Sequence, residues 1–314
     1  MNRQVVKQAS WLDEMETRSF KTFDGTRLTY YVFGDPSKPP MVIANGLGGN
    51  MKAWRHFVPF FSSMFRIYIL DYRGLFQSDE AASIDAYSIP NHSRDLAELL
   101  NHEGLVNPVL VGWSMGVQVI LEYFRENPGA ASAFVALNGT YGNPFRTAFH
   151  SGILEKRFER VFHFIQKHWE RIIWLRPHIT KTALIHGFIR SIQLAKVAGK
   201  SIDKDAFYDM SCEWIHNNLE VYSEIFVQLG WHNAGDLLPN IHVPTLVIAG
   251  TQDSFIPAYV SKEMAQRLPN ANYWEIPGAT HFCPLEFPHA INVRVKQYLS
   301  RLGALEIKAL AKAA

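Results

Sequence analysis

The sequence predicts an α/β protein with a doubly wound, mostly parallel β-sheet that a helical insertion interrupts. Three observations support this fold class. Short apolar runs alternate with helix-compatible segments through residues 19–140, and the runs end in loops rich in glycine or polar residues. The alternation stops between about residues 141 and 235 and then resumes. This rhythm is typical of parallel strands in one sheet with helices on both faces.

A β-hairpin is the first predicted element. Asp24-Gly25, a favoured tight-turn pair, separates two strand-like segments at residues 19–23 and 27–33. Apolar runs of the length of buried strands then alternate with helix-like segments. In chain order these are the strand-like runs 41–44 and 66–70, the helix-like segment 91–103, the strand-like run 108–111, the helix-like segment 117–125 and the strand-like run 133–137.

The insertion is predicted to be helical, because it holds long helix-compatible segments such as residues 153–173 and no clear short strand. Strand-like runs return at residues 245–249 and 273–276, and the Ala- and Lys-rich tail from about Gly303 is predicted to be a frayed helix or disordered. The simplest organisation is one discontinuous sheet domain with an inserted helical cap. The boundaries are residues 1–140 and 236–314 for the sheet domain and residues 141–235 for the cap.

The composition describes an ordinary globular chain and argues against several classes of protein. Of the 314 residues, 47% are hydrophobic and 19% are charged, which is not the balance of a disordered chain. A net charge of +2 without a Lys/Arg cluster argues against nucleic acid as a partner. The first twenty residues hold no apolar core of a signal peptide, and no stretch reaches the ~18 apolar residues of a membrane-spanning helix. The cysteines, Cys212 and Cys283, are too few for a disulfide framework, so we expect a cytoplasmic protein.

The pentapeptide GWSMG at residues 112–116 is the clearest candidate for chemistry. It follows the apolar run 108–111 and precedes the helix-like segment 117–125. Strand, Gly-x-Ser-x-Gly and helix in this order predict a nucleophile elbow, a sharp turn that lifts a serine hydroxyl out of the sheet. Small residues on both sides let the backbone close this tightly. We therefore predict that Ser114 is a nucleophile.

A serine hydroxyl needs a base to take its proton, and the base needs a third group to orient it. Asp253 and His281 both lie in loops directly after predicted strands. Side chains at the carboxyl ends of parallel strands gather at one edge of the sheet. The order Ser114, Asp253, His281 therefore predicts a catalytic triad. The alternatives are that Asp253 caps a helix starting near Pro257 and that His281 is a structural histidine.

A tetrahedral oxyanion needs two N–H donors. Met115, the residue after the nucleophile, supplies one by its position, and Leu47 in the loop NGLGG at residues 45–49 is the candidate for the second. The alternative, a phosphate-binding loop, lacks the lysine and hydroxyl of a P-loop. A metal site is not predicted, because His163 and His168 are five positions apart and no His-Glu-x-x-His pattern occurs. We therefore expect no cofactor and no metal.

Five motifs occur together along the chain: NGLGG at 45–49, DYRG at 71–74, GWSMG at 112–116, VPTLV at 243–247 followed by Gly250 and Asp253, and GATH at 278–281. In this set the chain resembles the α/β-hydrolase superfamily, and within it the serine-nucleophile, esterase- or lipase-like members with a helical lid. The resemblance covers about residues 19–140 and 236–300. It implies a mostly parallel sheet of eight strands, with the lid inserted after strand six.

Some features of the chain depart from relatives. Many relatives carry His-Gly where this chain has Asn45-Gly46; that histidine is usually structural, and the backbone donor that follows is unaffected. Some relatives place the acid after strand six, but Asn138 stands near that position and cannot ionise, so Asp253 is favoured. Members with an aspartate nucleophile, such as haloalkane dehalogenases and epoxide hydrolases, are excluded by Ser114.

Four further residues are predicted to support the fold. Asp71 and Arg73 are expected to fix their loop by hydrogen bonds, and Asp95 is expected to support the start of its helix. Cys283, two residues after His281, is expected to line the site or belong to the core, since no base for it is evident.

The insertion is rich in large apolar side chains, and we expect it to sit over Ser114. Most of these side chains are expected to form the cap's own core, and the rest to line an apolar pocket. They are Phe145, Phe149, Phe158, Phe162, Phe164, Trp169, Trp174, Phe188, Phe207, Trp214 and Phe226. In the sheet domain, Trp113 beside the nucleophile and Asn45 are the candidate substrate-binding residues.

These expectations predict a serine hydrolase that cleaves a small carboxylic ester with an apolar acyl or alcohol part through an acyl-enzyme. Ser114 attacks, His281 moves the proton and Asp253 orients His281. The Leu47 and Met115 N–H groups hold the oxyanion. Three alternatives stay open: another reaction on the same triad, such as C–C bond hydrolysis, lactone opening, cofactor-free peroxidation or acyl transfer; a non-catalytic small-ligand receptor on the same scaffold; and an interaction module whose lid docks a partner protein.

Overall fold

The computed structural model describes residues 11–150, 160, 187, 190–194, 197–214 and 216–304. The helix-compatible segment 153–173, apart from residue 160, and the tail beyond residue 304 lie outside the described residues. Among the helices of the described part, none is both long and apolar enough to cross a membrane.

Within the described residues, eight strands form one sheet: β1 (Glu16–Lys21), β2 (Arg27–Phe33), β3 (Pro40–Ala44), β4 (Arg66–Leu70), β5 (Val109–Trp113), β6 (Ala133–Leu137), β7 (Thr245–Gly250) and β8 (Ala271–Ile276). Across the sheet they follow the order β1-β2-β4-β3-β5-β6-β7-β8. β2 pairs antiparallel with β1 and β4, and the other neighbours pair parallel. The predicted fold class, a mostly parallel sheet with helices, is confirmed.

Helices cover both faces of the sheet. They are α1 (Val58–Phe61), α2 (Ile89–Glu103), α3 (Met115–Glu126), α4 (Lys204–Trp214), α5 (Leu219–Trp231), α6 (Ala258–Arg267), α7 (Cys283–Glu286) and α8 (Pro288–Arg301). Short 3₁₀ turns lie at Met51–Trp54, Ile84–Tyr87, Pro144–Arg146, Ala148–His150 and Leu238–Asn240. α2 begins two residues before its predicted start, because the Ser88 hydroxyl accepts a hydrogen bond from the Asn91 N–H and caps the helix.

Alternate residues of the central strands pack on opposite faces of the sheet, which creates two hydrophobic cores. On one face Val42 and Leu110 pack with α2, α3 and α6. On the other face Ile43 and Val111 pack with α1 and α8. Because both faces are buried, these strands are apolar runs without polar alternation.

The carboxyl ends of four central strands align at one edge of the sheet. Ala44 at the end of β3 is opposite Gly112 in β5, and Leu137 at the end of β6 is opposite both Trp113 and Ile248. The loops that leave these strands therefore start side by side. In an open parallel sheet this is the edge at which functional side chains gather.

Helices α4 and α5 lie between β6 and β7 in sequence and pack on loops at the same edge. A Cβ atom placed on Gly48, in the loop after β3, would lie 3.1 Å from Trp214 and 3.2 Å from the Tyr222 hydroxyl. A Cβ atom placed on Gly74, in the loop after β4, would lie 2.6 Å from Val221. This part of the insertion therefore covers the carboxyl edge of the sheet.

Arg73 is fully buried and links the loop after β4 to two other parts of the fold. Its Nε donates to Asp95 Oδ2 at 2.7 Å, and its Nη1 donates to Asp24 Oδ2 at 2.7 Å. Asp95 lies inside α2, whose start is capped by Ser88. Asp95 therefore binds Arg73. The prediction that Asp95 supports the start of its helix is wrong, because Ser88 caps that helix. Burial raises the pKa of Asp95 to about 6, and the hydrogen bond from Arg73 opposes that rise.

Replacing Arg73 by alanine should leave the Asp95 carboxylate buried without its cation. We expect the free energy of unfolding at pH 7 to fall by about 3–5 kcal/mol, as when one partner of a buried pair is removed. The loss should be smaller at pH 5, because a protonated Asp95 needs no cation. Urea unfolding at both pH values measures the effect, with the exposed Arg94→Ala as control. A loss below about 1 kcal/mol at pH 7, the range of surface pairs, would contradict this account.

Candidate active site

Ser114 occupies the turn between β5 and α3. Its backbone has φ 53° and ψ −114°, a region that residues other than glycine rarely adopt. The Ser114 N–H donates to the Leu137 carbonyl at 2.9 Å, so the neighbouring strand β6 holds the turn. Backbone strain of this kind persists only where surrounding contacts impose it. The Ser114 side chain is half-buried at the carboxyl edge of the sheet.

Close backbone contacts require both glycines of the GWSMG turn. A Cβ atom on Gly112 would lie 2.8 Å from the Gly116 carbonyl group, and one on Gly116 would lie 2.0 Å from the Ala44 carbonyl oxygen. Both atoms are backbone and cannot yield as a flexible side chain would. Helix α3 can therefore start directly after Ser114 only because no side chain stands between it and β3.

The three predicted triad side chains lie together. His281 Nε2 is 2.8 Å from Ser114 Oγ, and His281 Nδ1 is 2.8 Å from Asp253 Oδ2. His281 and Asp253 are only 6% and 2% exposed. An ionised carboxylate only accepts hydrogen bonds, which assigns the proton to Nδ1 and leaves Nε2 to accept the Ser114 hydroxyl. An arrangement of this kind can activate a serine oxygen for attack.

Asp253 is held from two sides. Its Oδ1 accepts hydrogen bonds from the Phe255 and Ile256 N–H groups at 2.9 and 2.8 Å. The N-cap of α6 is Pro257, and no side chain caps that helix. Asp253 therefore orders the loop before α6 without capping it, and its Oδ2 faces His281.

Asn138 lies in this site, although the sequence did not predict a role for it there because an amide cannot ionise. It is fully buried directly after β6, and its Nδ2 donates to Asp253 Oδ2 at 2.6 Å and to the Thr280 carbonyl at 2.9 Å. Its Oδ1 accepts from the Cys283 thiol at 2.7 Å, which places Cys283 in the buried layer beneath the site. The signal in the sequence that could have identified Asn138 is its position directly after a strand. That position brings amide side chains to the site as well as ionisable ones.

The loop after β3 lies against the elbow. A Cβ atom on Gly46 would lie 3.3 Å from the Ser114 Cβ, so the loop that carries Leu47 packs against Ser114. Met115 is the first residue of α3, where an N–H has no intrahelical acceptor. Among the described residues, no acceptor is bonded to the Leu47 or Met115 N–H. The role of these two N–H groups as oxyanion donors stays a prediction.

Asn45 and Trp113, the two candidate substrate-binding residues, are both buried. Asn45 donates to the Leu70 carbonyl at 3.1 Å and accepts from Trp54 Nε1 at 2.7 Å. Trp113 is 2% exposed, and its Nε1 donates to the His281 carbonyl at 3.0 Å. These bonds support the two loops that flank Ser114. A direct contact of either side chain with substrate stays a prediction.

A row of aromatic rings reaches the site from the insertion. The ring of Phe255 lies 5.1 Å from that of His281 and 6.2 Å from that of Phe226. The row continues through Tyr222 and Trp214 to the loop after β3. Apolar rings therefore border both His281 and the loop after β3.

The insertion also holds the loop that carries His281. The His281 N–H donates to the Val197 carbonyl at 3.1 Å, and the Gly199 N–H donates to Glu286 Oε1 at 2.6 Å. The other oxygen of Glu286 accepts from the Thr280 N–H at 2.7 Å. These hydrogen bonds fix the backbone on which the imidazole is mounted.

The structure describes only part of the side chains that the sequence assigns to the insertion. The aromatic residues Phe158, Phe162, Phe164, Trp169, Trp174 and Phe188, and the histidines His163 and His168, lie outside the described residues. Of the described aromatic residues, Phe207 is 1% exposed and packs on Phe282 at 5.1 Å, in the core. In the described part of the chain, no group of three or more His, Cys, Asp or Glu side chains is arranged to hold a metal ion.

Asp71, directly after β4, is a buried carboxyl that holds a neighbouring loop. Its Oδ2 accepts from the Tyr31 hydroxyl at 2.8 Å and from the Gln77 N–H at 3.3 Å. Its Oδ1 has no hydrogen-bond partner among the described residues. Burial raises the pKa of Asp71 to about 7.

Comparisons with known proteins agree with this architecture. The model of the alpha/beta hydrolase fold family matches residues 39–164 and 207–288. Epoxide hydrolase 3 of Xenopus tropicalis is 26% identical over 288 residues, which cover 88% of this chain and 75% of that protein. A thermophilic esterase from Thermogutta terrifontis has a similar structure, with a TM-score of 0.73 at 20% identity, over 91% of this chain and 99% of that one. An enol-lactonase from Burkholderia xenovorans LB400 gives a TM-score of 0.72 at 19% identity, over 90% and 100%. Likeness at these identities shows a shared fold.

Replacing Gly116 by alanine should disrupt the elbow, because the new Cβ would overlap the Ala44 carbonyl oxygen. We expect the free energy of unfolding to fall by about 1–3 kcal/mol, the usual cost of overpacking. Gly142→Ala is the matched control, since the nearest atom to its Cβ position is 3.7 Å away. Thermal and urea unfolding measure both variants. Equal stability of the two would contradict the close contact between α3 and β3.

Asp71 should make stability depend on pH between about 4 and 7. Its pKa is raised from 3.8 in the folded chain, so the folded state binds more protons in this window. The stability that Asp71 contributes is therefore present at low pH and is lost as the pH rises through the window. In Asp71→Asn the decline of unfolding free energy from pH 4 to 7 should be shallower than in the wild type, by about 1 kcal/mol or more. If urea unfolding gave the same decline of unfolding free energy with pH in both proteins, the raised pKa of Asp71 would be contradicted.

Proposed function

The chain belongs to the alpha/beta hydrolase fold family, and from this premise we propose that it is a serine hydrolase. Its substrate is a small carboxylic ester with an apolar acyl or alcohol part. The observation that carries the proposal is the unbroken hydrogen-bonded chain from Ser114 Oγ through His281 to Asp253 Oδ2. Each link is 2.8 Å long, so no movement of these side chains is needed before attack.

In the proposed reaction, Ser114 Oγ forms a bond to the ester carbonyl carbon while its proton passes to His281 Nε2. The negative charge that develops on the carbonyl oxygen is bound by the Leu47 and Met115 N–H groups. Asp253 stabilises the imidazolium through Nδ1 without itself taking the proton. The C–O bond to the alcohol then breaks, and the alcohol leaves with the proton from Nε2. A water molecule, deprotonated by His281, attacks the acyl carbon; the bond to Ser114 Oγ breaks, His281 returns the proton to Oγ, and the acid is released.

The apolar part of the substrate follows from the surroundings of the site. Phe255 lies beside His281, and rings of the insertion continue from it to the loop after β3. Apolar walls with a few directed polar groups are typical of sites for small ligands. We assign these rings to the acyl or alcohol group, within a cap that comprises residues 141–235 over a sheet domain of residues 1–140 and 236–314.

A reducing, cytoplasmic location is part of the same proposal. Cys212 and Cys283 are both free, and Cys283 is buried beside Asn138. Free thiols are usual where disulfides are kept reduced.

A series of nitrophenyl esters with increasing acyl length, tested on the wild type and on Ser114→Ala, examines the proposal. We expect turnover by the wild type that rises with acyl length, because longer chains bury more apolar surface. Ser114→Ala should lose at least about 10⁴-fold in kcat, since removal of a triad nucleophile has effects of this order. Thermal unfolding confirms that the variant is folded. Unchanged turnover in Ser114→Ala would contradict the mechanism.

The same experiment separates the alternative reactions. Lactonase and C–C bond hydrolase chemistry uses the same three side chains and would leave Ser114 reactive to a fluorophosphonate. If no ester were turned over while Ser114 was still labelled, ester cleavage would be contradicted and lactones and diketones would be tested next. If the wild-type protein neither turned over an ester nor reacted with the fluorophosphonate at Ser114, the non-catalytic receptor alternative would be favoured.

A further inference from the structure

The Asn138 side chain is a buried amide with every polar atom engaged. Asn138 follows β6 with φ 45°, in the left-handed region that asparagine tolerates better than most residues. One Nδ2 hydrogen is donated to Asp253 Oδ2 and the other to the Thr280 carbonyl. The amide oxygen accepts from the Cys283 thiol. A buried amide in this position is oriented by its partners and not by chance packing.

The hydrogen-bond partners of the Asn138 amide allow only one of its two orientations. A flipped side chain would turn the amide oxygen toward the Asp253 carboxylate and the Thr280 carbonyl, both of which are acceptors. The NH₂ group would then face the Cys283 sulfur, a weak acceptor. The amide must therefore present a donor to Asp253.

Asn138 and His281 share one oxygen of Asp253. Oδ2 receives the Asn138 Nδ2–H at 2.6 Å and the His281 Nδ1–H at 2.8 Å. Oδ1 is occupied by the Phe255 and Ile256 N–H groups. The carboxylate thus cannot rotate, and part of the charge on Oδ2 is engaged by the amide instead of the imidazole.

We propose that Asn138 is a positioning residue that holds Asp253 Oδ2 toward His281 and limits how strongly the carboxylate stabilises the imidazolium. This inference rests on the proposed function of the triad. A base that holds its proton too strongly is protonated at neutral pH and cannot accept one from serine. The Asn138 donor thereby keeps the imidazole available as a base.

In the part of the chain that the structure describes, the other ionisable groups near His281 do not supply this effect. Burial raises the pKa of the Cys283 thiol well above its ordinary value, so the thiol stays neutral and acts as a donor to Asn138. Glu286, in the short helix α7, is engaged by the Gly199 and Thr280 N–H groups. Phe255, Trp113 and Phe282, the rings packed against His281, carry no titratable group.

The test measures the rate at which a fluorophosphonate labels Ser114 as a function of pH, in the wild type and in Asn138→Gly. Glycine removes the amide and accepts the positive φ. Without the competing donor, His281 should hold its proton to higher pH. The midpoint of the rate profile should therefore move upward by about half a pH unit or more. Asn138→Ala also removes the amide but keeps a Cβ at this φ, and it should move the midpoint in the same direction. This variant replaces Asn138→Gly in the test if the glycine variant does not fold.

Two control variants separate positioning from packing. Cys283→Ala disturbs the same cluster but leaves the Asn138 donor on Asp253, and Asn292→Ala removes another buried amide, which donates to the His56 carbonyl at 2.8 Å. Both should lower the unfolding temperature without moving the midpoint. If Asn138→Gly and Asn138→Ala lose stability with an unmoved midpoint, the inference is overturned and the triad proposal stands. If wild-type Ser114 is not labelled at any pH, the triad proposal fails and this inference fails with it.

Discussion

The contact between the start of α3 and the end of β3 is the constraint on which the site depends. Gly116 packs so closely on the Ala44 carbonyl that a Cβ atom there would approach its oxygen to 2.0 Å. This contact forces the chain to turn within one residue, and Ser114 absorbs the turn with φ 53°. Gly46, two residues after Ala44, packs on the same turn, since a Cβ atom there would lie 3.3 Å from the Ser114 Cβ.

The position of the Asp253 carboxylate is fixed as tightly as that of Ser114. Asp253 takes four hydrogen bonds, two from its own loop and one each from Asn138 and His281. A buried carboxylate with all its partners is rigid, whereas one with a partner missing is costly. The imidazole is constrained in turn through its backbone, because the His281 N–H is bound to the Val197 carbonyl of the insertion. The insertion therefore supports the position of His281 as well as bordering the candidate site.

Local sequence signals predicted a mostly parallel sheet and suggested the site residues at its strand ends, whereas the number of strands came from the family resemblance. The central parallel strands are continuous apolar runs, and the loops after predicted strands carry Ser114, Asp253 and His281, so the pattern alone suggested each of them as a site residue. The role of Asn138 depends on which loops meet after β6 and β7 pair, and pairing is not a local property. Asp95 was misjudged for the same reason, since its partner Arg73 lies in a distant loop. Which rings approach His281 was equally beyond a single sequence, because packing of the insertion decides it.

The most direct test of the central claim is to trap the covalent intermediate. A nitrophenyl ester is mixed with the protein, the reaction is stopped with acid during the first turnover, and the digested chain is analysed by mass spectrometry. The account predicts one acyl group per chain, on the peptide that contains Ser114, and none in Ser114→Ala. Ester turnover with no acylated peptide, or with the acyl group on another residue, would contradict it.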